Sequence, residues 1–295
     1  MKPESISLQQ RVLPVLTVLV AVLLLWYAGC VGLNSAGAIE RVLAPKGGYS
    51  FGDLVGTTLN MQRPVLPSPH QVAIDLWSSL VDWPLDSPRN LLYHAAVTAQ
   101  STLVGFVLGT LLGVVLAASI VHSRTLDRAL LPWIVASQTV PVLAIAPIVL
   151  VILGSLGFSG VAPKAAIAMY LCFFPVTVAC VQGLRSPQRI ETELMHTYAA
   201  SRTQAFWMLR LPAALPFLFP SLRVAIAAGV VGAMVAELPT GAQAGLGAKL
   251  LTGSYYGNTV GIWSALVMSA LLGLGLTAAV SLVERLAMRR GSAAR

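Results

Sequence analysis

Long apolar runs follow one another along the chain, and the charged residues concentrate between them. Crossing a hydrocarbon core about 30 Å thick takes about 20 apolar residues in helical form. Strands of an outer-membrane barrel are about ten residues long and alternate in polarity, so continuous runs predict helices. Six runs each predict a membrane-spanning helix: Val12–Leu33, Ala95–Val121, Ala129–Leu156, Ala165–Leu184, Pro216–Ala236 and Thr259–Val283. The expected fold is therefore an all-α polytopic membrane protein with six transmembrane helices.

Composition agrees with this pattern. The 295 residues are 56% hydrophobic and 10% charged, with a mean hydropathy of +0.78, whereas a soluble domain carries about 25% charged residues. The first run follows Lys2 and Arg11, as a secretory signal would. It is longer than the core of such a signal and no clear small-x-small cleavage site follows it, so it is interpreted as a membrane anchor. The cysteines (Cys30, Cys172 and Cys180) form no CxxC or Cys/His group, and they predict core residues without a metal site.

The basic residues predict the orientation. With the N-terminus inside, the inside segments hold thirteen Lys and Arg residues and the outside segments hold six. Because basic residues concentrate in cytoplasmic loops, both termini are expected to be cytoplasmic. The net charge of +8 then reflects this bias and attraction to anionic lipid, and no nucleic-acid partner is needed. The predicted divisions are a cytoplasmic N-terminus 1–11, a first span 12–33, an external loop 34–94, a core of five spans 95–285 and a cytoplasmic tail 286–295.

Three local patterns add detail. In the external loop, Val72, Leu76 and Leu80 predict a short amphipathic helix over His70–Val81. Gly105, Gly109 and Gly113 form a face on which another helix can approach closely, from this chain or from a second copy. Prolines break the apolar pattern of two spans, which indicates bends along a translocation path or reflects the general frequency of proline in membrane helices. They are Pro132, Pro141 and Pro147 in the third span and Pro175 in the fourth.

Glu237 ends the fifth predicted span. A carboxylate there opposes the helix dipole, which indicates a partner or a wet cavity. The hypothesis is that Glu237 and the segment Gly241–Lys249, with Gly245 and Gly247, shape the substrate path or its outer gate; the alternative is a solvated helix end. Gln138 and Thr139 in the third span are further path candidates, although bonding between helices is the commoner use of such side chains.

The polar stretch 185–215 is far longer than a simple connection between two helices needs to be. Ser186-Pro187 predicts one helix start, since serine caps helices and proline suits their first position. Ser201, with Gln204 three residues on, predicts a second through a capping box. The stretch is therefore expected to form two short helices with a corner at Ala199 and Ala200.

This stretch resembles the cytoplasmic signature of permeases from binding-protein-dependent ABC importers: E-A-A, three residues, G, nine residues, I, any residue, L-P. Glu193 stands at the first position, Ala199 at the glycine, Leu209 at the isoleucine and Leu211-Pro212 at the end. The spacing is intact, although Leu194 and Met195 replace the two alanines. The flanking residues 200–207 and 211–216 are similar to the nitrate, sulfonate and taurine branch of the family.

The resemblance implies a type I importer permease in the bacterial inner membrane, without catalytic residues or a metal site. Its partners would be two ATPase subunits that bind ATP and Mg²⁺, a second permease copy as a homodimer, an external solute-binding protein and the lipid bilayer. This chain itself has no P-loop motif. The stretch 185–215 would then be the coupling loop that meets the ATPase, with the apolar residues Ala205, Phe206 and Leu209 on the docking helix. The implied coupling residues are Glu193, Ala199, Ala200, Ser201, Arg202, Gln204, Phe206, Leu209, Leu211 and Pro212.

The substrate implied by the branch is nitrate, a sulfonate, taurine or a related small organic solute, and a thiamine-precursor pyrimidine or another vitamin is an alternative. A second class of function, an ion-coupled secondary transporter, is disfavoured because carboxylates are missing from the middle of the predicted spans. A membrane-embedded enzyme is disfavoured because the sequence has no cluster of His, Cys, Asp and Glu.

Overall fold

The computed structural model of this protein describes residues 8–239 and 244–292. Gly241 of the predicted gate and parts of the predicted terminal segments 1–11 and 286–295 lie outside the described residues. Regular structure in the described part is helical. In chain order the α-helices are α1 Leu8–Ala38, α2 Phe51–Leu59, α3 Pro69–Val81, α4 Leu91–His122, α5 Arg124–Ser137, α6 Val142–Ser155, α7 Val161–Leu184, α8 Arg189–Thr197, α9 Arg202–Ala205, α10 Leu211–Glu237, α11 Leu246–Tyr255 and α12 Thr259–Ser292.

Most of the predicted spans correspond to helices that are long and apolar enough to cross a membrane. In the described part of the chain there are five such helices, Val12–Leu43, Leu91–His122, Val161–Leu184, Arg202–Glu237 and Thr259–Ala287. The third predicted span is wrong as a single helix, because α5 and α6 are bent by 103° at a short break. Pro141 is the N-cap of α6, and proline disfavours helix in the residue before it. Pro175, in contrast, lies within an unbroken α7.

The chain divides into two compact units. The first comprises the described part of Met1–Leu85 with Leu250–Leu266, and the second comprises Asp86–Lys249 with the described part of Val267–Arg295. In the first unit, the predicted amphipathic helix is confirmed as α3. The loop predicted at 34–94 is otherwise shorter than expected, since a π-helical turn at Ile39–Leu43 extends α1, and α2 begins at a capping box of Ser50 and Asp53.

Asn34 of α1 holds the chain that follows α2. Its side-chain amide donates to the carbonyls of Thr58 and Leu66, and its carbonyl accepts from the backbone of Val65 at 2.8 Å. Buried polar groups need such partners. Trp26 of α1 packs on Trp263, with ring centroids 4.9 Å apart. The first unit is thus tied together by side chains of α1.

In the second unit, α4 and α10 both pack closely on α7. A Cβ added at Gly105 would lie 2.5 Å from the Cβ of Ala168, and one at Gly109 would lie 2.6 Å from the Cβ of Cys172. The predicted glycine face is therefore a packing surface, and its partner helix comes from this chain. Gly229 of α10 approaches α7 in the same way. Close approach of this kind is typical of helices that associate in lipid, and it fixes the spans that carry the site.

Candidate functional site

The stretch 185–215, called the coupling stretch here after its predicted role, folds into two short helices, as the sequence predicts. α8 is capped by Gln188, whose backbone donates to Glu191 Oε2 at 2.7 Å, so the start predicted at Ser186-Pro187 lies too early. The capping box predicted for α9 is confirmed: the Ser201 backbone donates to Gln204 Oε1 at 2.8 Å, and the Gln204 backbone donates to Ser201 Oγ at 3.2 Å. The caps satisfy N–H groups that would otherwise be free at each helix start, which helps to stabilise both helices.

The corner between the two helices lies at Ala199. Among the described residues, Ala199 alone has a positive φ, +50°, without being a glycine. Its N–H donates to the carbonyl of His196 at 2.9 Å, and that of Ala200 donates to Met195 at 3.0 Å. This is the Schellman arrangement that ends helices, and glycine normally occupies its left-handed position. The glycine of the family signature thus corresponds to a left-handed backbone position. Ala199 adopts that conformation here under strain.

Ala199→Gly is expected to raise the free energy of unfolding by about 1 kcal/mol, since a Cβ costs about that much in the left-handed region. The measurement is the melting temperature of the purified protein. Ala200→Gly is the control, because the positive φ is confined to Ala199 and added freedom in the unfolded chain should lower stability slightly. A lower melting temperature for Ala199→Gly than for the unaltered protein would contradict the prediction.

The second short helix is continuous with the span that follows it, a connection that the sequence did not predict. A π-helical turn, Phe206–Arg210, joins α9 to α10, and the Leu211 N–H donates to the carbonyl of Phe206. From Arg202 to Glu237 the chain is a single helical element of 36 residues. Any displacement of α9 is therefore passed directly to a membrane-spanning helix.

Opposite faces of α8 differ in what they contact. Ile190, Leu194 and Tyr198 recur every four residues, so they lie on one side of the helix. Their exposures are 70%, 55% and 77%. On the other side, Thr192 and Met195 line a cleft in the second unit. This exposed apolar stripe was not predicted, although its i, i+4, i+8 spacing is visible in the sequence.

The apolar face predicted for docking points elsewhere. Phe206 is half-buried and packs on His122, with ring centroids 4.8 Å apart, and it belongs to the hydrophobic core of the second unit. Ala205 and Leu209 are also half-buried, whereas Trp207 is exposed. The outward surface of the coupling stretch is consequently formed by the stripe on α8 with Glu193 beside it, together with Trp207 and Met208.

A second constellation surrounds Glu237, which is fully buried at the end of α10. Its carboxylate accepts from Thr98 Oγ1 of α4 at 3.0 Å and from the Gly247 N–H at 2.9 Å. Lys164 Nζ of α7 lies 3.5 Å from Glu237 Oε1 and donates to the carbonyl of Ala244 at 2.9 Å. The carboxylate thus has the partner that the sequence predicted, and the alternative of a solvated helix end is wrong.

His94 completes this buried polar cluster. Its Nδ1 accepts from the Gly245 N–H at 3.0 Å, so its Nε2 carries the proton and donates to the carbonyl of Pro88 at 2.8 Å. The Leu246 N–H donates to Thr98 Oγ1 at 2.9 Å. One turn of α4, from His94 to Thr98, therefore holds the backbone of residues 245–246, while Glu237 holds residue 247.

The two path candidates Gly245 and Gly247 are positions where a side chain does not fit. Gly245 has φ +128°, and a Cβ there would lie 2.1 Å from Glu237 Cδ. A Cβ at Gly247 would lie 2.3 Å from the carbonyl oxygen of Met234. The glycines allow residues 244–247 to lie directly against the end of α10.

Gln138 and Thr139 are exposed in the bend between α5 and α6. Gln138 Nε2 donates to Ser137 Oγ at 3.4 Å, and Thr139 Oγ1 donates to the carbonyl of Ala136 at 2.8 Å. These contacts are local to the bend. The structure brings Gly245, Gly247 and Glu237 together, while Gln138 and Thr139 belong to a different part of the unit.

Comparison with known proteins shows that the chain matches a protein family. The model of the binding-protein-dependent transport system inner membrane component matches residues 109–290. The formylaminopyrimidine transport permease protein ThiX of Halalkalibacterium halodurans is 34% identical over 227 residues, which cover 75% of this chain and 84% of the relative. The riboflavin transport system permease protein RibX of Chloroflexus aurantiacus is 33% identical, covering 76% and 80%. The taurine transport system permease protein TauC of Escherichia coli is 26% identical, covering 75% and 80%.

Proposed function

From the match to the family of binding-protein-dependent transport system inner membrane components, we propose that residues 189–212 are the element through which an ATPase drives transport. The chain belongs to this family and is an ABC importer permease subunit with the all-helical type I fold. The observation that carries this proposal is the exposed apolar stripe on α8, next to a helix continuous with a span. Members of the family are non-catalytic membrane components that work with ATPase and solute-binding partners. The energy for transport therefore enters this chain through a protein contact.

The exposed stripe is suited to a groove on a partner. Three large apolar side chains on a nine-residue helix and its C-cap residue, Tyr198, are costly to leave in water, since burying a side chain of this size stabilises by about 1.5–3 kcal/mol. Glu193 lies next to them and pairs with Arg189 at 2.8 Å, with both side chains exposed. The stripe supplies apolar contact and the charged pair sets the orientation of docking.

In the proposed assembly, two copies of this chain form the pathway and two ATPases bind the coupling stretches. ATP and Mg²⁺ bind on the ATPases, and an external binding protein delivers the solute. The excess of basic residues in the predicted inside segments supports a cytoplasmic location for the coupling stretch and both termini, at a bacterial inner membrane. Closure of the ATPases at α8 and α9 would then open the pathway to the outside.

For the substrate we favour a small uncharged heterocycle of the pyrimidine or vitamin type. The two more similar relatives described above are named for formylaminopyrimidine and riboflavin. The basic residues within α7 and α10, Lys164 and Arg223, each pair with a carboxylate, at 3.5 Å and 3.3 Å. Paired cations of this kind offer little to a free anion. Taurine, a sulfonate or nitrate is the second candidate, supported by the likeness to TauC; the ligand of the cognate binding protein distinguishes the two.

Glu193→Arg tests the coupling assignment. The Arg189–Glu193 pair is exposed and contributes little to stability, so the variant is expected to fold. The reversed charge at residue 193 should weaken docking to the ATPase. Co-purification with the ATPase and ATP-dependent uptake should both fall by about tenfold or more, as for a hot-spot residue at an interface. Leu194→Asp, on the apolar stripe, should have the same effect.

Thr125→Asp is the matched control for Leu194→Asp, since it adds the same negative charge at an exposed position in the first turn of α5, where the helix dipole favours it. It should leave uptake unchanged. If Glu193→Arg and Leu194→Asp both bound the ATPase and transported solute as the unaltered chain does, residues 189–212 would not be the docking element.

A further inference from the structure

A cleft of about 480 Å³ lies beside the coupling stretch, in the second unit. It is bounded by the end of α4, the start of α5, the inner face of α8 and the helix that begins at Arg202. Its floor is partly apolar, with Val121, Met195 and Phe206. The basic residues of its lining are His122, Arg124, His196, Arg202 and Arg210.

The arginines of the cleft have no counter-ion among the described residues. The ion pairs in the described part of the second unit are Lys164–Glu237, Arg185–Asp127, Arg189–Glu193 and Arg223–Glu284. None of these pairs includes Arg124, Arg202 or Arg210, and no carboxylate lines the cleft. Gathering several cations without an anion is unfavourable, so the cleft is suited to an anionic group from outside the chain.

The position of the cleft indicates where that group comes from. His122 is the last residue of α4, and Arg210 comes directly before the first residue of α10. Both α4 and α10 are membrane spans, so the cleft lies at the level where lipid headgroups meet the ends of the helices. Basic pockets between spans at this level are typical binding sites for anionic headgroups.

A narrow apolar crevice adjoins the cleft and shares Phe206 with it. Its volume is about 40 Å³. Val114 and Leu215 line it and are exposed, so it opens on the apolar surface of the spans. The remaining lining residues are apolar side chains from α4, α7 and α10: Ala118, Cys180, Leu184, Leu211, Ala214 and Leu218.

We propose that the cleft and the crevice together bind an anionic phospholipid, with the phosphate among the arginines and the first carbons of an acyl chain in the crevice. A carboxylate of a partner protein or a free phosphate would satisfy the cations and leave the crevice empty. The bound lipid contacts α4 and α5 on one side and α8 and α9 on the other, so it stabilises the coupling stretch against the spans. The lipid site depends on the membrane spans and does not depend on the docking of an ATPase.

The test measures phosphatidylglycerol retained by the full chain in native mass spectra, after extraction from vesicles of phosphatidylglycerol and phosphatidylcholine. The variant is Arg124→Gln with Arg210→Gln. Each basic residue near anionic lipid raises the affinity about fivefold, so the double variant should bind phosphatidylglycerol about 25-fold more weakly. Phosphatidylcholine binding should not change.

Arg128→Gln is the control, since Arg128 is exposed on α5 and does not line the cleft. It should retain phosphatidylglycerol as the unaltered chain does. Equal binding by the double variant and the control would overturn the proposal, and so would displacement of the lipid by inorganic phosphate, which would indicate a simple anion site. If the double variant fails to fold, Arg124→Gln alone changes an exposed side chain and should show the fivefold loss.

Discussion

Glu237→Ala is expected to lower the free energy of unfolding by about 3–5 kcal/mol, the cost of removing one partner from a buried ion pair. The substitution leaves the Lys164 ammonium buried without its carboxylate. It also leaves Thr98 Oγ1 and the Gly247 N–H without their acceptor. The measurement is the loss of structure on heating or in denaturant, with the protein in detergent micelles.

The double variant Lys164→Met with Glu237→Met separates charge from packing. Replacing both members of a buried pair with apolar residues of similar volume is often close to neutral, so it should recover most of the stability that Glu237→Ala loses. If the double variant were no more stable than Glu237→Ala, the unpaired Lys164 ammonium would not be the main cost of Glu237→Ala. If Glu237→Ala were as stable as the unaltered protein, the buried cluster would have no structural role.

Gly245→Ala is expected to cost about 3 kcal/mol or more, combining about 1–3 kcal/mol for the unusual backbone conformation and about 1–3 kcal/mol for overpacking. The added Cβ would lie 2.1 Å from Glu237 Cδ. Either residues 244–247 or the end of α10 must then move. The same unfolding measurement reports the loss, and ATP-dependent uptake should fall with it.

Gly157→Ala is the control for the backbone part of this cost. Gly157 has φ +85°, and no atom lies within 4 Å of the position of an added Cβ. The variant should therefore lose only the conformational part, about 1–2 kcal/mol. Equal losses for Gly245→Ala and Gly157→Ala would mean that the contact with Glu237 tolerates a methyl group, which would contradict the steric explanation.

The features that the sequence predicted well are those that depend on local physics. Hydropathy located five spans, the spacing of Val72, Leu76 and Leu80 predicted α3, and Ser201 with Gln204 predicted the capping box. The bend in the third predicted span could be suspected from its prolines. Its angle could not, because a proline removes a hydrogen bond without setting the direction that the next helix takes.

The buried polar cluster could not be predicted, because its members are far apart in the sequence. Thr98 and Glu237 are separated by 139 residues, and Lys164 comes directly before the fourth predicted span, at Ala165. Glu237 indicated that a partner exists, since a carboxylate at a helix C-terminus is unfavourable, but only the packing of α4, α7 and α10 determines which side chains meet it.

The unbroken helix from Arg202 to Glu237 acts as a lever with its two ends in different environments. Thirty-six residues at 1.5 Å per residue give an axis of about 54 Å, so a tilt of one degree at Arg202 moves Glu237 by about 1 Å. A hydrogen bond weakens over less than that distance. A rotation of the helix at Arg202 by a few degrees is therefore enough to break the hydrogen bonds of Glu237 with Thr98 and Gly247, so the buried cluster resists such a rotation.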